Sequence, residues 1–383
     1  MVVLILISFL FAPIYKVYAD TKEDTNSKKI NESVLEQLEK LDLDKLQEYF
    51  NSLSLSNGES VKERLIEFIT KNDVDYASFG KELLQVLFQD VIDLLPYFTC
   101  IIAIALLSGV LSAVKSDTGG NSSSSVVFFI TYAAALIPLT GVLVECFQAC
   151  TDCVFEMRKQ AEIIFPLMLT MITASGGIMT ASICQPAVGF FATNIISIIS
   201  SVVFPLCITI IIFSMAGNMT TDIKINKFTA FFKSINKWIL GICVSVFGLF
   251  LTLQGITASV YDGVVRRAAK YAIGTGIPIV GGFLSGGFDL AVAGSILIKN
   301  SLGSMGVFLL ISVLFKPLVM LIAVNVLLRL TAAVTQPFAD NKISDFLGET
   351  ADNLQYCTAG LLIVAFLYFL TIVLMIYSTE ALI

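Results

Sequence analysis

The chain has no histidine. That absence removes the usual proton shuttle, the commonest metal ligand and the usual base of a serine or cysteine triad. Charged residues are scarce as well, 14% of 383, and they crowd into a few short segments. Such a composition cannot clothe a soluble globule of this size. The slight acidic balance, a formal net charge of −6, resides largely in the N-terminal part, and no basic stripe supports nucleic-acid binding. No GxxxxGK[ST] loop is present, so any dependence on ATP must come through a partner. Neither a cofactor nor a resident metal is expected.

What remains is apolar. Hydrophobic residues make up 56% of the chain, the composition of an all-α, polytopic helical membrane protein. About six spans, each near the roughly 20 residues a bilayer requires, read as Leu94 to Val114, Val126 to Cys150, Val188 to Ala216, Trp238 to Val260, Ser304 to Leu328 and Thr358 to Tyr377. Nearly all eight cysteines lie in apolar runs, where a thiol packs as a small hydrophobe. Cys146, Cys150 and Cys153 share one helix face, an array suited to a soft metal, but no fourth ligand is evident.

Residues 1–19 are an apolar run ending in Val17-Tyr18-Ala19, whose small residues suit signal peptidase, and the polar stretch from Asp20 follows at once. A cleaved secretory signal is expected. No Lys or Arg precedes the apolar core, which leaves an uncleaved anchor as the alternative. Residues 20–93 read as a small extracytoplasmic helical domain. Leu35, Leu38, Leu41, Leu46, Phe50 and Leu53 form one helical stripe, with Asn31 and Ser33 as caps and Asn57-Gly58 as its end. A second helix runs from Ser60 through Ile69 and a third from Phe79 to Leu95. This layer either binds a partner or packs on the chain itself. Asp117 to Ser125 reads as a Gly/Ser loop.

Residues 94–383 form the membrane domain, and two of its apolar stretches, Phe165 to Pro186 and Ile277 to Ile298, are broken by glycines after a leading proline. Irregular backbone survives at membrane depth only under other protein or beside a wet cavity. Gly176, Gly177, Gly281, Gly282, Gly286 and Gly287, with Pro278, are therefore expected to face a passage or a close helix contact. The surroundings also match: Ser175-Gly176-Gly177 aligns with Ser285-Gly286-Gly287, and Phe204-Pro205-Leu206 with Lys316-Pro317-Leu318. Two repeat units, about 126–216 and 238–328, each read as span, basic loop, broken segment, span. Interrupted segments at corresponding positions point to a site between the halves of a transporter-like fold. Whether each broken segment is re-entrant or crosses is left open by the charges.

Asp289 is an acid inside a Gly-rich apolar segment, a pathway candidate by default or else a partner for Lys299. Lys316 sits mid-span and must snorkel, pair with a group such as Asp289, or face a cavity. Arg266, Arg267 and Lys270 form a basic loop suited to the membrane interface. Tyr261-Asp262 and Gly286-Gly287-Phe288-Asp289 resemble an intramembrane aspartyl protease only superficially, since Phe288 stands where glycine should precede the second acid. No enzymatic activity is expected.

The run from Tyr261-Asp262-Gly263-Val264-Val265-Arg266 through Lys270, Ile277-Pro278-Ile279-Val280-Gly281-Gly282-Phe283-Leu284-Ser285 and Ile298-Lys299-Asn300 to Gly303 resembles the stage III sporulation protein AE family. The order of signal, small polar domain and polytopic body is similar too. The Ser285-Gly286-Gly287 sequence departs from the more polar run of that family. The resemblance implies a permease-like or export-gate-like core of the mother-cell to forespore channel complex needed for endospore formation. Its implied partners are the other stage III A-operon proteins and, across the intermembrane space, stage II sporulation protein Q. The implied location is the mother-cell membrane around the forespore, multi-pass, with the N-terminal domain extracytoplasmic. An independent secondary transporter of a small solute is the alternative.

Overall fold

The computed structural model describes residues 26–52, 60–70, 92–107, 121–219, 225–276, 281–337 and 341–378, and every regular element among them is helical. The expected signal (residues 1–19), most of the third N-terminal helix, Asn57-Gly58 and Pro278 lie outside the described residues.

Three short helices open the described chain: α1 (Asn26–Lys40), α2 (Asp44–Ser52) and α3 (Val61–Thr70). The single helix expected across α1 and α2 is in fact two. Asp42 turns the chain by accepting the backbone N–H of Asp44 on its Oδ1 at 3.3 Å, the side-chain competition by which Asp ends and starts helices. Asn31 and Ser33 lie inside α1 rather than at its start. Entry to α3 is a reciprocal capping box: the Ser60 N–H donates to Glu63 Oε2 at 3.0 Å, and the Glu63 N–H donates to Ser60 Oγ at 3.2 Å.

The body follows as α4 (Ile92–Leu107), α5 (Asn121–Ala174), α6 (Ile178–Phe190), α7 (Phe204–Met219), α8 (Asn226–Gly276), α9 (Gly281–Thr335) and α10 (Asn341–Tyr377). A stretch with two π-helical turns, Phe191–Ile195 and Ile199–Val203, joins α6 to α7. The second precedes Pro205. A proline ring clashes with the carbonyl four residues back, and a wider turn opens that space.

Among the described residues, five helices are long and apolar enough to cross a membrane: Phe129–Ala174, Ile196–Met219, Lys227–Phe250, Gly287–Thr335 and Lys342–Tyr377. The sixth expected span is described only as α4, a shorter apolar helix. The basic loops expected after Cys150 and Val260 are not loops. Helix α5 runs unbroken for 54 residues and α8 for 51, carrying Asp152, Arg158 and Lys159, or Asp262, Arg266 and Lys270, in helical backbone. Residues 121–125, read as part of a loop, are the first turn of α5. Intrahelical pairs support the charged stretch, Arg158 with Glu162 at 2.8 Å and Lys159 with Glu156 at 2.7 Å. At about 1.5 Å per residue, α5, α8 and α9 are each more than twice the ~30 Å of a bilayer core.

Side-chain contacts fix how these rods align. Ser344 Oγ donates to the Ala332 carbonyl and Lys299 Nζ to that of Ile376, so α10 lies antiparallel to α9 along nearly the whole of α10. The Tyr132 ring packs tilted against Phe346 and Phe165 stacks on Tyr368, so α5 lies parallel to α10. Asn236 Nδ2 donates to Cys207 Sγ and Phe247 packs on Phe191, which sets α8 antiparallel to the α6–α7 arm. The body is therefore two long helical hairpins, α5 with α6–α7 and α8 with α9, plus α10. At the near end meet the start of α5, the end of α7, the start of α8, the end of α9 and the start of α10; the hairpin tips lie at the far end.

Candidate functional site

The tip of the first hairpin is a Schellman turn. The Gly177 N–H donates to Ile172 O at 2.9 Å and the Gly176 N–H to Thr173 O at 3.0 Å, with Gly176 at φ 91°. That left-handed conformation is what the first glycine pair supplies. Thr173 Oγ1 donates to Leu169 O and Ser175 Oγ to Ile172 O, taking up carbonyls of the last turn. The break expected at Gly176-Gly177 is thus present, as the tip of a hairpin.

The second triplet behaves otherwise. Helix α9 begins at Gly281 and continues through Gly282, Gly286 and Gly287 without interruption, so no break exists at Ser285–Gly287. Residues 277–280, between α8 and α9, lie outside the described residues. Gly287 is exposed and a Cβ on it would meet nothing within 4 Å, so it makes no close helix contact. Close approach is supplied by glycines later in α9. A Cβ on Gly303 would stand 2.6 Å from Ile376 Cδ1, and one on Gly306 2.8 Å from Ile372 Cδ1.

Continuity of α9 also decides the two expected pairings. Asp289 and Lys299 are ten residues apart on one straight rod, about 15 Å, and Asp289 and Lys316 about 40 Å, so neither pair meets. Lys299 is fully buried and its ammonium caps the last turn of α10 at Ile376 O, a favourable place for a cation at a helix C-terminus. Asp289 is partly exposed and Lys316 exposed on α9; Arg267 is exposed on α8.

The N-terminal helices dock on the far part of the bundle. Gln37 Nε2 donates to the Ala291 carbonyl at 2.9 Å, Ser295 Oγ donates to Gln37 Oε1 at 2.7 Å, and Gly294 gives the room. Deeper in, Gln160 of α5 donates through Nε2 to the Tyr49 hydroxyl at 2.9 Å and to the Leu309 carbonyl at 3.1 Å. Burial pushes the Tyr49 phenol well above its usual range, with the Gln160 hydrogen bond acting against the shift. Gln160 Oε1 and the fully buried Tyr368 hydroxyl have no protein partner.

At the near end, reading the sequence missed a polar cleft of about 510 Å³ lined by Asn218, Arg329, Gln336, Asp345, Glu349 and Asp352, among others. Ser214 Oγ and Asn218 Nδ2 both donate to Glu349 Oε2, the latter at 2.9 Å, and Arg329 pairs with Asp352 at 2.6 Å. Val326 and Leu330, exposed beside Arg329 on the same helix, place this cleft among apolar outward faces. The available signal was an arginine inside the apolar run of α9 and three acids at positions 345, 349 and 352 on one face of α10. The cysteines expected on one face are buried on α5, and Cys357 of α10 joins them, its thiol 3.4 Å from Cys150 Sγ.

No solved structure matches this chain. It is 25% identical over 342 residues to the stage III sporulation protein AE of Bacillus subtilis (strain 168), covering 88% of this chain and 86% of that protein. The family model for stage III sporulation protein AE matches residues 60–379, a stretch that takes in α3 and every helix of the body and leaves α1 and α2 outside. With more than four-fifths of its length so matched, this chain belongs to the stage III sporulation protein AE family.

Proposed function

We propose that this sporulation protein is the permease-like or export-gate-like membrane core of the channel complex joining mother cell and forespore. The observation that carries the reading is the extent of the family match, which includes all five helices able to cross a membrane. Its partners in that assembly are the other stage III A-operon proteins and, from the forespore side, stage II sporulation protein Q. The chain supplies passage and scaffold rather than enzymatic chemistry.

Two hairpins of similar plan support the reading of the body as two repeated units. Each descends through a proline, Pro205 and Pro317, and both prolines lie near the height of Gly360 on α10, which touches Phe204 of α7. The proposed orientation sets the N-terminal helices in the intermembrane space and Lys227, Lys233 and Lys237 in the mother-cell cytoplasm. It is supported by their lying at opposite ends of the bundle, and by the preference of basic residues for the cytoplasmic side. Cysteines introduced at the exposed Thr173 and Ser234 should then label from opposite faces of the membrane; labelling from one face sinks the orientation. For the passage itself, Asp289→Ala and Gly282→Leu should abolish sporulation while protein level and complex assembly persist. Normal spore yield from both variants would remove the far-end segment from the conduit.

A further inference from the structure

The first half of α8 has two faces. Thr229, Asn236, Leu240, Cys243 and Phe247 point into the bundle and are buried. Outward, Phe228 is 61% exposed, Phe231 59% and Trp238 70%, and beyond them the outer face carries Ile242, Val246 and Leu249, interrupted by one small hydroxyl at Ser245 and by no charge. Lys227 and Lys237 are exposed and Lys233 partly so. No acidic residue occurs between Asn226 and Phe250, and among the described residues none of these three lysines has a carboxylate within ion-pair distance. Lys237 instead stands over the ring of Tyr356, 5.8 Å from its centroid.

Along one helix face the outward chemistry thus passes from cations and aromatics to an uncharged, mainly aliphatic surface. A protein partner would not require that order, but a bilayer does, since amphipathic rings and snorkelling lysines sit at headgroup level and aliphatic groups among the acyl chains. Uncompensated lysines at that level attract anionic headgroups. We propose that the N-terminal turns of α8, through Lys227, Lys233 and Lys237 around Trp238, form a binding surface for anionic phospholipid headgroups. This surface fixes the depth of the near end in the membrane, and it stands on the helix face whether or not the chain lines a channel.

Trp238 is the only tryptophan of the chain and so reports its own surroundings. The full-length protein is reconstituted in phosphatidylcholine vesicles containing an equal fraction of either brominated phosphatidylglycerol or brominated phosphatidylcholine, and quenching of Trp238 is measured. Phosphatidylglycerol should be enriched around Trp238 at least about fivefold, the ratio that corresponds to roughly 1 kcal/mol for one headgroup-facing lysine. The preference should shrink as salt is raised, a test on the unaltered protein, and fall to near unity when Lys227, Lys233 and Lys237 are all changed to Gln. Equal quenching by the two lipids, quenching by neither, or a preference unchanged by salt and by the triple variant would each overturn the proposal.

Discussion

The tripeptide Ser-Gly-Gly occurs at 175–177 and again at 285–287, and it folds in two ways. In the first copy Gly176 takes a left-handed conformation and reverses the chain; in the second both glycines are ordinary members of α9. What separates the copies is where the hairpin needs its turn. Residues 121–174 have run the full length of the bundle when they reach Ser175, whereas Ser285 is only the fifth residue of α9. Glycine permits a break without commanding one, and in α9 the glycines that earn their place are Gly303 and Gly306, which let α10 come close.

This contrast sorts the glycines by backbone angle, by space and by neither, and substitutions should sort them the same way. The largest effect is expected at Gly303→Val, where the added atoms meet Ile376 and Met168; overpacking of that kind costs about 3 kcal/mol at the upper end of its usual range. A fall in the thermal midpoint in detergent, partly restored by adding Ile376→Ala, would verify it. At Gly176→Ala the space is open but the angle is not, and the strain should cost about 1–2 kcal/mol. An unchanged midpoint there would mean that the turn can be remade without glycine. Gly287→Ala should go the other way, stabilising by up to ~1 kcal/mol, because it replaces an exposed mid-helix glycine with the best helix former. Loss of sporulation without loss of stability in that variant would assign Gly287 a role that the fold does not demand.

The smallest effect belongs to the polar module. Lys40 bonds to Glu36 and holds its carboxyl below the usual carboxylate range. A carboxyl lowered on folding adds stability at neutral pH and loses it as pH falls through the lowered value. Both side chains are exposed, so Lys40→Ala should return the Glu36 titration to its ordinary position, followed by NMR, and leave the thermal midpoint unresolved from the parent.

The helical class, the apolar body, the helix at Ser60 and the break at Gly176 were all legible in the sequence, because each rests on local chemistry: hydropathy, a capping box, a positive φ. The charged middles of α5 and α8 misled, since a cluster such as Asp152, Arg158 and Lys159 resembles a loop but is stable as helix once i,i+3 and i,i+4 pairs form. The near-end cleft was hidden for another reason. Ser214, Arg329 and Glu349 are more than a hundred residues apart at their widest, and only the hairpin register brings them together. Lys299 donates to a backbone carbonyl of α10, a contact which no residue pattern announces.

The two wide turns between α6 and α7 also have a geometric consequence. Each inserts one residue into the helical count and so rotates everything after it by about 100° around the axis. An uninterrupted rod from Ile178 to Met219 would present one flank to its neighbours throughout. This arm carries two such rotations and meets both neighbours on either side of them: Phe191 packs on Phe247 of α8 and Tyr368 of α10, and further on Cys207 accepts from Asn236 of α8 while Ser214 donates to Glu349 of α10. Removing a single residue from either swelling would turn the lower half of the arm away from its partner while leaving the tip untouched.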